Sequence, residues 1–207
     1  MGLVLLKVDS KYAVDFFTET KNIISKLDFN EIIQVLNILI SVKKSKGRIF
    51  FIGSGGGAGH ASHACSDFRK IVGIESYSVS DNVSELTARI NDDGWSTSYV
   101  EYLKVSNLKK KDLVFVISVG GGDQKLKISE NLVNAMNYAK KLNTRIVGIV
   151  GRNGGHLAKV GDAVIIIPTL NPKNVTTQVE GLQSLLWHMM VTYPPLNGKT
   201  PKWESTK

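Results

Sequence analysis

At 207 residues, with 43% hydrophobic and 21% charged side chains, the chain is long enough for one well-buried domain and too apolar to be mostly disordered. The net charge of +8 admits a nucleic acid, an anionic membrane or a phosphorylated ligand, yet the lysines are scattered, Lys109-Lys110-Lys111 being the longest run, and no basic stripe is interleaved with aromatics. That pattern predicts a solvated lysine-rich surface, with neither nucleic-acid nor membrane binding. The single cysteine, Cys65, cannot form an internal disulfide, so a cytoplasmic setting is expected. The apolar start from Met1 to Leu6 is cut short by Lys7 and Asp9 and is too brief for a signal-peptide core or a membrane span.

Between Tyr12 and Lys46, apolar residues recur at three-and-four spacing: Ile23, Ile24 and Leu27, then Ile32, Ile33, Val35, Leu36, Leu39 and Ile40. This predicts two amphipathic helices, separated at Asp28 and Asn30 and ended by Gly47. Such a lead-in suits packing against a partner subunit. From Arg48 the texture changes to short β-branched runs: Arg48 to Ile52, Glu75 to Val79, Leu113 to Ser118, Arg145 to Val150 and Ala163 to Pro168. Helical stretches alternate with them at His60 to Ile71, Ser84 to Ile90, Ser129 to Leu142, Gly155 to Val160 and Val175 to Val191. Strand–helix alternation demands crossover connections, hence a three-layer α/β/α sandwich around a five-stranded parallel sheet of flavodoxin-like type. The expected layout is a single domain over 1–207, with a helical lead-in at 10–46, an α/β core at 48–193 and a loosely ordered tail from Leu196 after Pro194-Pro195.

Ligands of open parallel sheets sit outside the carboxyl ends of the strands. Two strand-to-helix turns there are glycine-rich: Gly53-Ser54-Gly55-Gly56-Gly57-Ala58-Gly59, and Ser118-Val119-Gly120-Gly121-Gly122-Asp123. Their backbone N–H groups can cradle an anion, and a helix N-terminus adds partial positive charge. No G-K-[ST] follows either turn, which excludes a P-loop. Gly53, Gly55 and Ala58 satisfy the G/A variant of the dinucleotide fingerprint, and Asp81 after the second strand keeps a NAD site open. The titratable residues form two pairs, His63 with Asp67 on one helix face and Glu180 with His188 two turns apart on the last helix. Two imidazoles and two carboxylates suit Zn²⁺ with a position left for a ligand, although a packed core histidine beside Trp187 explains either pair equally well.

Together, Gly53-Ser54-Gly55-Gly56-Gly57, Ala61-x-His63 with Asp67, Ser80-Asp81, Asn91-Asp92, Ile117-Ser118 with its glycine turn, Gly151-Arg152-Asn153-Gly154-Gly155, and the stretch from Glu180 to His188 resemble a sugar isomerase (SIS) domain. The resemblance is strongest to its D-sedoheptulose 7-phosphate isomerase branch and covers nearly the whole chain. It implies an aldose–ketose isomerase that serves activated-heptose synthesis for lipopolysaccharide or capsule. It also implies Asp67 as the base, His188 as its acid/base partner, and zinc held through His63, Asp67, Glu180 and His188. Ser54, Gly55, Gly56, Gly57, Asp92, Ser118, Val119, Gly120, Gly121, Gly122, Asp123 and Glu180 take the family's substrate-binding positions. A homotetramer with sites lined by neighbouring subunits is implied as well.

Against the family pattern, Asp67 replaces glutamate, Glu180 replaces glutamine, and Ser118-Val119-Gly120-Gly121-Gly122-Asp123 replaces a phosphate loop rich in Ser and Thr. Three hydroxyl donors are lost, and Asp123 is expected to repel phosphate if it points inward, with Lys125 or Lys127 and the glycine amides as substitutes. A non-catalytic phosphosugar sensor or scaffold, or an isomerase of another sugar phosphate, fits the same residues.

Overall fold

The computed structural model describes residues 10–197. The apolar start and the tail from 198 onward lie outside them. Two helices lead in: α1 (Ser10–Ile24) and α2 (Phe29–Lys44), with the Asp28 carboxylate capping α2 by accepting the Asn30 N–H at 2.9 Å. Five strands follow, β1 (Ile49–Gly53), β2 (Ser76–Ser78), β3 (Leu113–Ile117), β4 (Arg145–Val150) and β5 (Ala163–Ile166). All pair in parallel in the order β2-β1-β3-β4-β5.

The apolar runs buried on both faces explain the parallel sheet. Along β1, Ile49 and Phe51 face a core closed by α2, while Phe50 and Ile52 face a second core, and β3 alternates likewise. The first core also receives α3 (Gly56–Asp67) and α8 (Val175–Thr192). The second is covered by α5 (Ser98–Val105), α6 (Glu130–Lys141) and α7 (Leu157–Val160). Leu132, Met136 and Ala139 supply the α6 stripe. The three-layer sandwich is as expected.

Chain direction reverses across the sheet between β1 and β3, whose register pairs Gly53 with Ile117. The two glycine-rich turns leave those strands side by side, at the switch point where open α/β sheets hold their ligands.

Several boundaries differ from the sequence expectation. Helix α3 begins at Gly56 rather than near His60. Gly55, at φ +58°, turns the chain, and Gly57 lies so close to the Ile117 carbonyl that a Cβ there would collide with it. The α-helix also stops at Asp67 and continues as one π-helical turn, Phe68–Val72, which Gly73 ends at φ +74°. Helix α4 (Val83–Asp93) runs longer than expected, and α5 was not anticipated. Positive φ at Gly154 and Gly155 delays α7 to Leu157. Finally, Pro194-Pro195 ends α8 but opens α9 (Pro194–Asn197), in which Leu196 is fully buried.

Candidate active site

Residues 63 and 67 sit one turn apart on α3, and the parallel neighbour α8 brings His188 to them. Asp67 Oδ2 lies 3.5 Å from His63 Nε2 and 3.4 Å from His188 Nε2. That oxygen is buried and has no hydrogen-bond partner among the described residues. The imidazoles are open, with His63 57% and His188 40% exposed. His188 Nδ1 is 2.8 Å from the Ser184 carbonyl, which can only accept, so Nδ1 carries a proton and Nε2 is the ring nitrogen that faces Asp67.

Beneath the cluster lies Trp187, 1% exposed, its indole 5.6 Å from the His63 ring, 5.2 Å from His188 and 5.1 Å from His60. His60 Nδ1 is 3.1 Å from Gln183 Oε1, and Gln183 Nε2 donates to the Ser118 and Ile149 carbonyls, both at 3.0 Å. Gln183 thus ties the histidine wall to the second glycine turn. Sequence reasoning passed over His60, whose role follows only from the α3–α8 contact.

Glu180 does not join the imidazoles. It precedes His188 by eight residues, roughly 12 Å along a helix at 1.5 Å per residue. Its carboxylate instead rests against Gly56, where a Cβ would strike both carboxylate oxygens. The helix N-terminus there favours a negative group. One chain therefore assembles three of the four expected ligands.

At the first turn, Ser54 Oγ accepts from Asn131 Nδ2 at 3.0 Å, and Tyr99 donates to the Gly53 carbonyl at 2.6 Å. Asn131 is fully buried with Oδ1 unpartnered, and burial raises the Tyr99 phenol above its ordinary range. Neither residue carried a sequence signal. In the second turn, Ser118 Oγ accepts the Gly121 N–H at 3.1 Å, while Gly121 and Gly122 adopt φ +72° and +77°. The carbonyls of Gly121 and Gly122 accept from Leu157 and His156, leaving Val119 and Gly120 in the intervening loop half-exposed. Asp123 does not point inward. Its Oδ1 accepts the N–H groups of Leu126 and Lys125 at 2.9 and 2.8 Å, and these bonds, Leu126 first, hold its carboxyl below the usual range. Lys125 and Lys127 are exposed in the small hairpin closed by Asp123 and Ile128. Asp92 is exposed on α4 and accepts from Asn91.

The donor set of His63, Asp67 and His188 fits zinc. Their ligand atoms all lie within 4.8 Å of one another, and neighbours around a tetrahedral ion with bonds of about 2.0–2.1 Å stand roughly 3.3 Å apart, close to the spacing of Asp67 Oδ2 from each imidazole. An unpartnered carboxylate oxygen facing two imidazole nitrogens is the arrangement a cation satisfies.

No family model matches the chain. Among curated relatives, the phosphoheptose isomerase of Helicobacter hepaticus is 31% identical over 160 residues, which cover 74% of this chain and 76% of the relative. The chain belongs to the phosphoheptose isomerase family. Solved phosphoheptose isomerases share the fold: that of Francisella tularensis superposes with a TM-score of 0.77 at 20% identity, covering 93% of this chain and all of that one. The Neisseria gonorrhoeae structure gives a TM-score of 0.75 at 22% identity, covering 88% and 96%. This phosphoheptose isomerase fold extends through the helical lead-in. Among the described residues no helix is long and apolar enough to cross a membrane.

Proposed function

We propose that the chain is a cytoplasmic aldose–ketose isomerase that converts sedoheptulose 7-phosphate to D-glycero-D-manno-heptose 7-phosphate, toward activated heptose for surface polysaccharide. The observation that carries this reading is the buried, unpartnered carboxylate of Asp67 between two accessible imidazoles, in a chain of the phosphoheptose isomerase family.

Moving a proton between adjacent carbons passes through an enediolate, which needs a base at the carbon and a proton donor or positive charge at the oxygens. Asp67 is the base, having no competing hydrogen bond on Oδ2. His188, whose tautomer the Ser184 carbonyl sets, exchanges the proton at the substrate oxygens through Nε2. Ser54, Gly55, Gly56 and Gly57 and the turn from Ser118 to Asp123 hold the phosphate and sugar hydroxyls, with Asp92 at the rim. Zinc, if held by His63, Asp67 and His188, would supply positive charge at those oxygens in place of the His188 proton, because Nε2 cannot ligate an ion and carry a proton at once.

Asp67 lies eleven residues beyond Gly56 on α3, roughly 16 Å along the helix. A site that needs both ends is completed by a neighbouring chain, and the homotetramer supplies one. Glu180 would join the zinc ligands across that same contact between chains. Tyr12, Phe17, Phe29 and Ile33, each more than half exposed on α1 and α2, are the apolar surface this assembly would cover.

The test is conversion of sedoheptulose 7-phosphate by the purified chain beside Asp67→Asn and His188→Gln, with zinc content measured separately. About one zinc per chain, lost in His63→Ala, is the expected binding result.

A further inference from the structure

We propose a second anion site, for a short oligophosphate chain, at the end of the sheet opposite the glycine turns. The turns that enter β1, β2 and β3 meet there around a cavity of about 290 Å³ lined by Lys46, Arg48, Glu75, Ser106, Asn107, Lys109 and Lys111. Two adjoining cavities of about 190 and 370 Å³ share Lys46 and Lys111 with it and add Lys43, Lys110 and Arg145. This site does not depend on the isomerase reading.

Charge on this face is not balanced among the described residues. Arg48 is bound to the buried Asp112 at 2.7 Å, and the one lining acid, Glu75, accepts the Tyr77 hydroxyl at 2.6 Å. The exposed amines of Lys46, Lys109, Lys110 and Lys111 have no hydrogen bond or ion pair among the described residues. Lysines in the last turns of α2 and α6 complement helix C-termini. That explanation does not reach Lys109, Lys110 and Lys111, which lie in the turn before β3, whereas Lys46, at φ +51°, directly follows the C-cap of α2.

The chemistry selects the ligand. A concave cavity lined almost wholly by polar and charged groups suits a compact, highly charged molecule rather than an apolar one. Ammonium groups act as point charges for phosphate, without the planar fork that reads bases. No aromatic side chain lines the cavity, so there is no stacking platform for a nucleobase. Two or three linked phosphates would bridge Lys46, Lys109 and Lys111, with the side chains of Ser106 and Asn107 as neutral donors.

Titration calorimetry of the full chain with inorganic tripolyphosphate tests this. With the glycine turns saturated by sedoheptulose 7-phosphate, the expected result is saturable one-site binding that weakens as salt rises, is at least tenfold weaker in the triple variant Lys46→Ala/Lys109→Ala/Lys111→Ala, and is unchanged in Asp67→Asn. Lys26→Ala, in the turn between the first two helices, is the control for net charge and should bind within twofold of wild type. Lys109→Gln alone should weaken binding several-fold, and the thermal midpoint of each variant checks folding. Undetectable binding overturns the proposal, as does wild-type affinity in the triple variant. Equal affinity for single orthophosphate, or binding of duplex DNA that tripolyphosphate fails to displace, overturns it too.

Discussion

Asp67 is one methylene shorter than glutamate, and the structure shows what the shorter arm still reaches. Its Oδ2 lies within 3.5 Å of both imidazoles while remaining buried and without a hydrogen bond. If that oxygen is the base, Asp67→Asn removes the lone pair that takes the proton but keeps size and shape. Turnover should fall by about two to four orders of magnitude, the range of general-base contributions, with an unchanged circular dichroism spectrum. Retained turnover in that variant would reassign the base. Gly57 makes a different kind of residue-scale statement. A Cβ there meets the Ile117 carbonyl, a backbone atom that cannot swing away. Gly57→Ala should therefore cost about 1–3 kcal/mol in denaturant unfolding, and a neutral result would mean that the turn can open. At Asp123 the carboxylate is engaged by the N–H groups of Leu126 and Lys125 rather than turned into the loop that the resemblance assigns to phosphate.

Among the elements, α9 departs most from the sequence reading. A proline pair was read as the start of a loose tail, whereas it opens a helical turn whose Leu196 is fully buried and whose carbonyl accepts from Lys43. Leu196→Ala should cost about 2–5 kcal/mol, as for other buried leucines, and a loss under 0.5 kcal/mol in denaturant melts would show the turn to be undocked. The turn into α7 carries a pH signature. His156 is 8% exposed, with Nε2 2.8 Å from Asn137 Oδ1, and burial pulls its pKa below 6.5, followed by the nearby Lys159 charge. A depressed folded pKa means that the unfolded chain binds the proton first. This contribution is complete above about pH 6.5 and is lost as pH falls through the lower folded value. His156→Gln should flatten the fall in thermal midpoint between those limits, and an identical pH profile would refute that assignment.

The strands were legible because short β-branched and aromatic runs alternate with helical stretches, two of the runs closing directly on Gly53 and Gly151. The start of α3 was not, because glycines in a helix look like a loop until the close approach to Ile117 is seen. Helix α5 was missed since Tyr99 and Leu103, buried against the second core, are its main apolar signal over a short span.

For the whole molecule, the sequence named both titratable pairs but could not say which side chains meet. Glu180 and His188 lie two turns apart on α8, and that separation leaves Glu180 at Gly56 and only His188 beside Asp67. Asn131, Tyr99 and His60 left no sequence trace because each acts through a partner more than forty residues distant. If the glycine turns and the Asp67 cluster serve one substrate, their separation along α3 requires assembly of chains. Light scattering should give a mass near four chains, and substituting Phe17 and Ile33 with aspartate should release smaller species with reduced turnover. A wild-type monomer with full activity would contradict the shared site.

The proposed isomerisation of a heptose phosphate rests on Asp67 and His188. NMR of sedoheptulose 7-phosphate with the full chain, with added zinc and after chelation, beside Asp67→Asn and His188→Gln, tests it most directly. Wild type should form the aldose phosphate, with exchange of solvent deuterium at the carbon next to the carbonyl, and both signals should be lost in the two variants. An inert wild type under every metal condition, or variants that turn over at the wild-type rate, would contradict it.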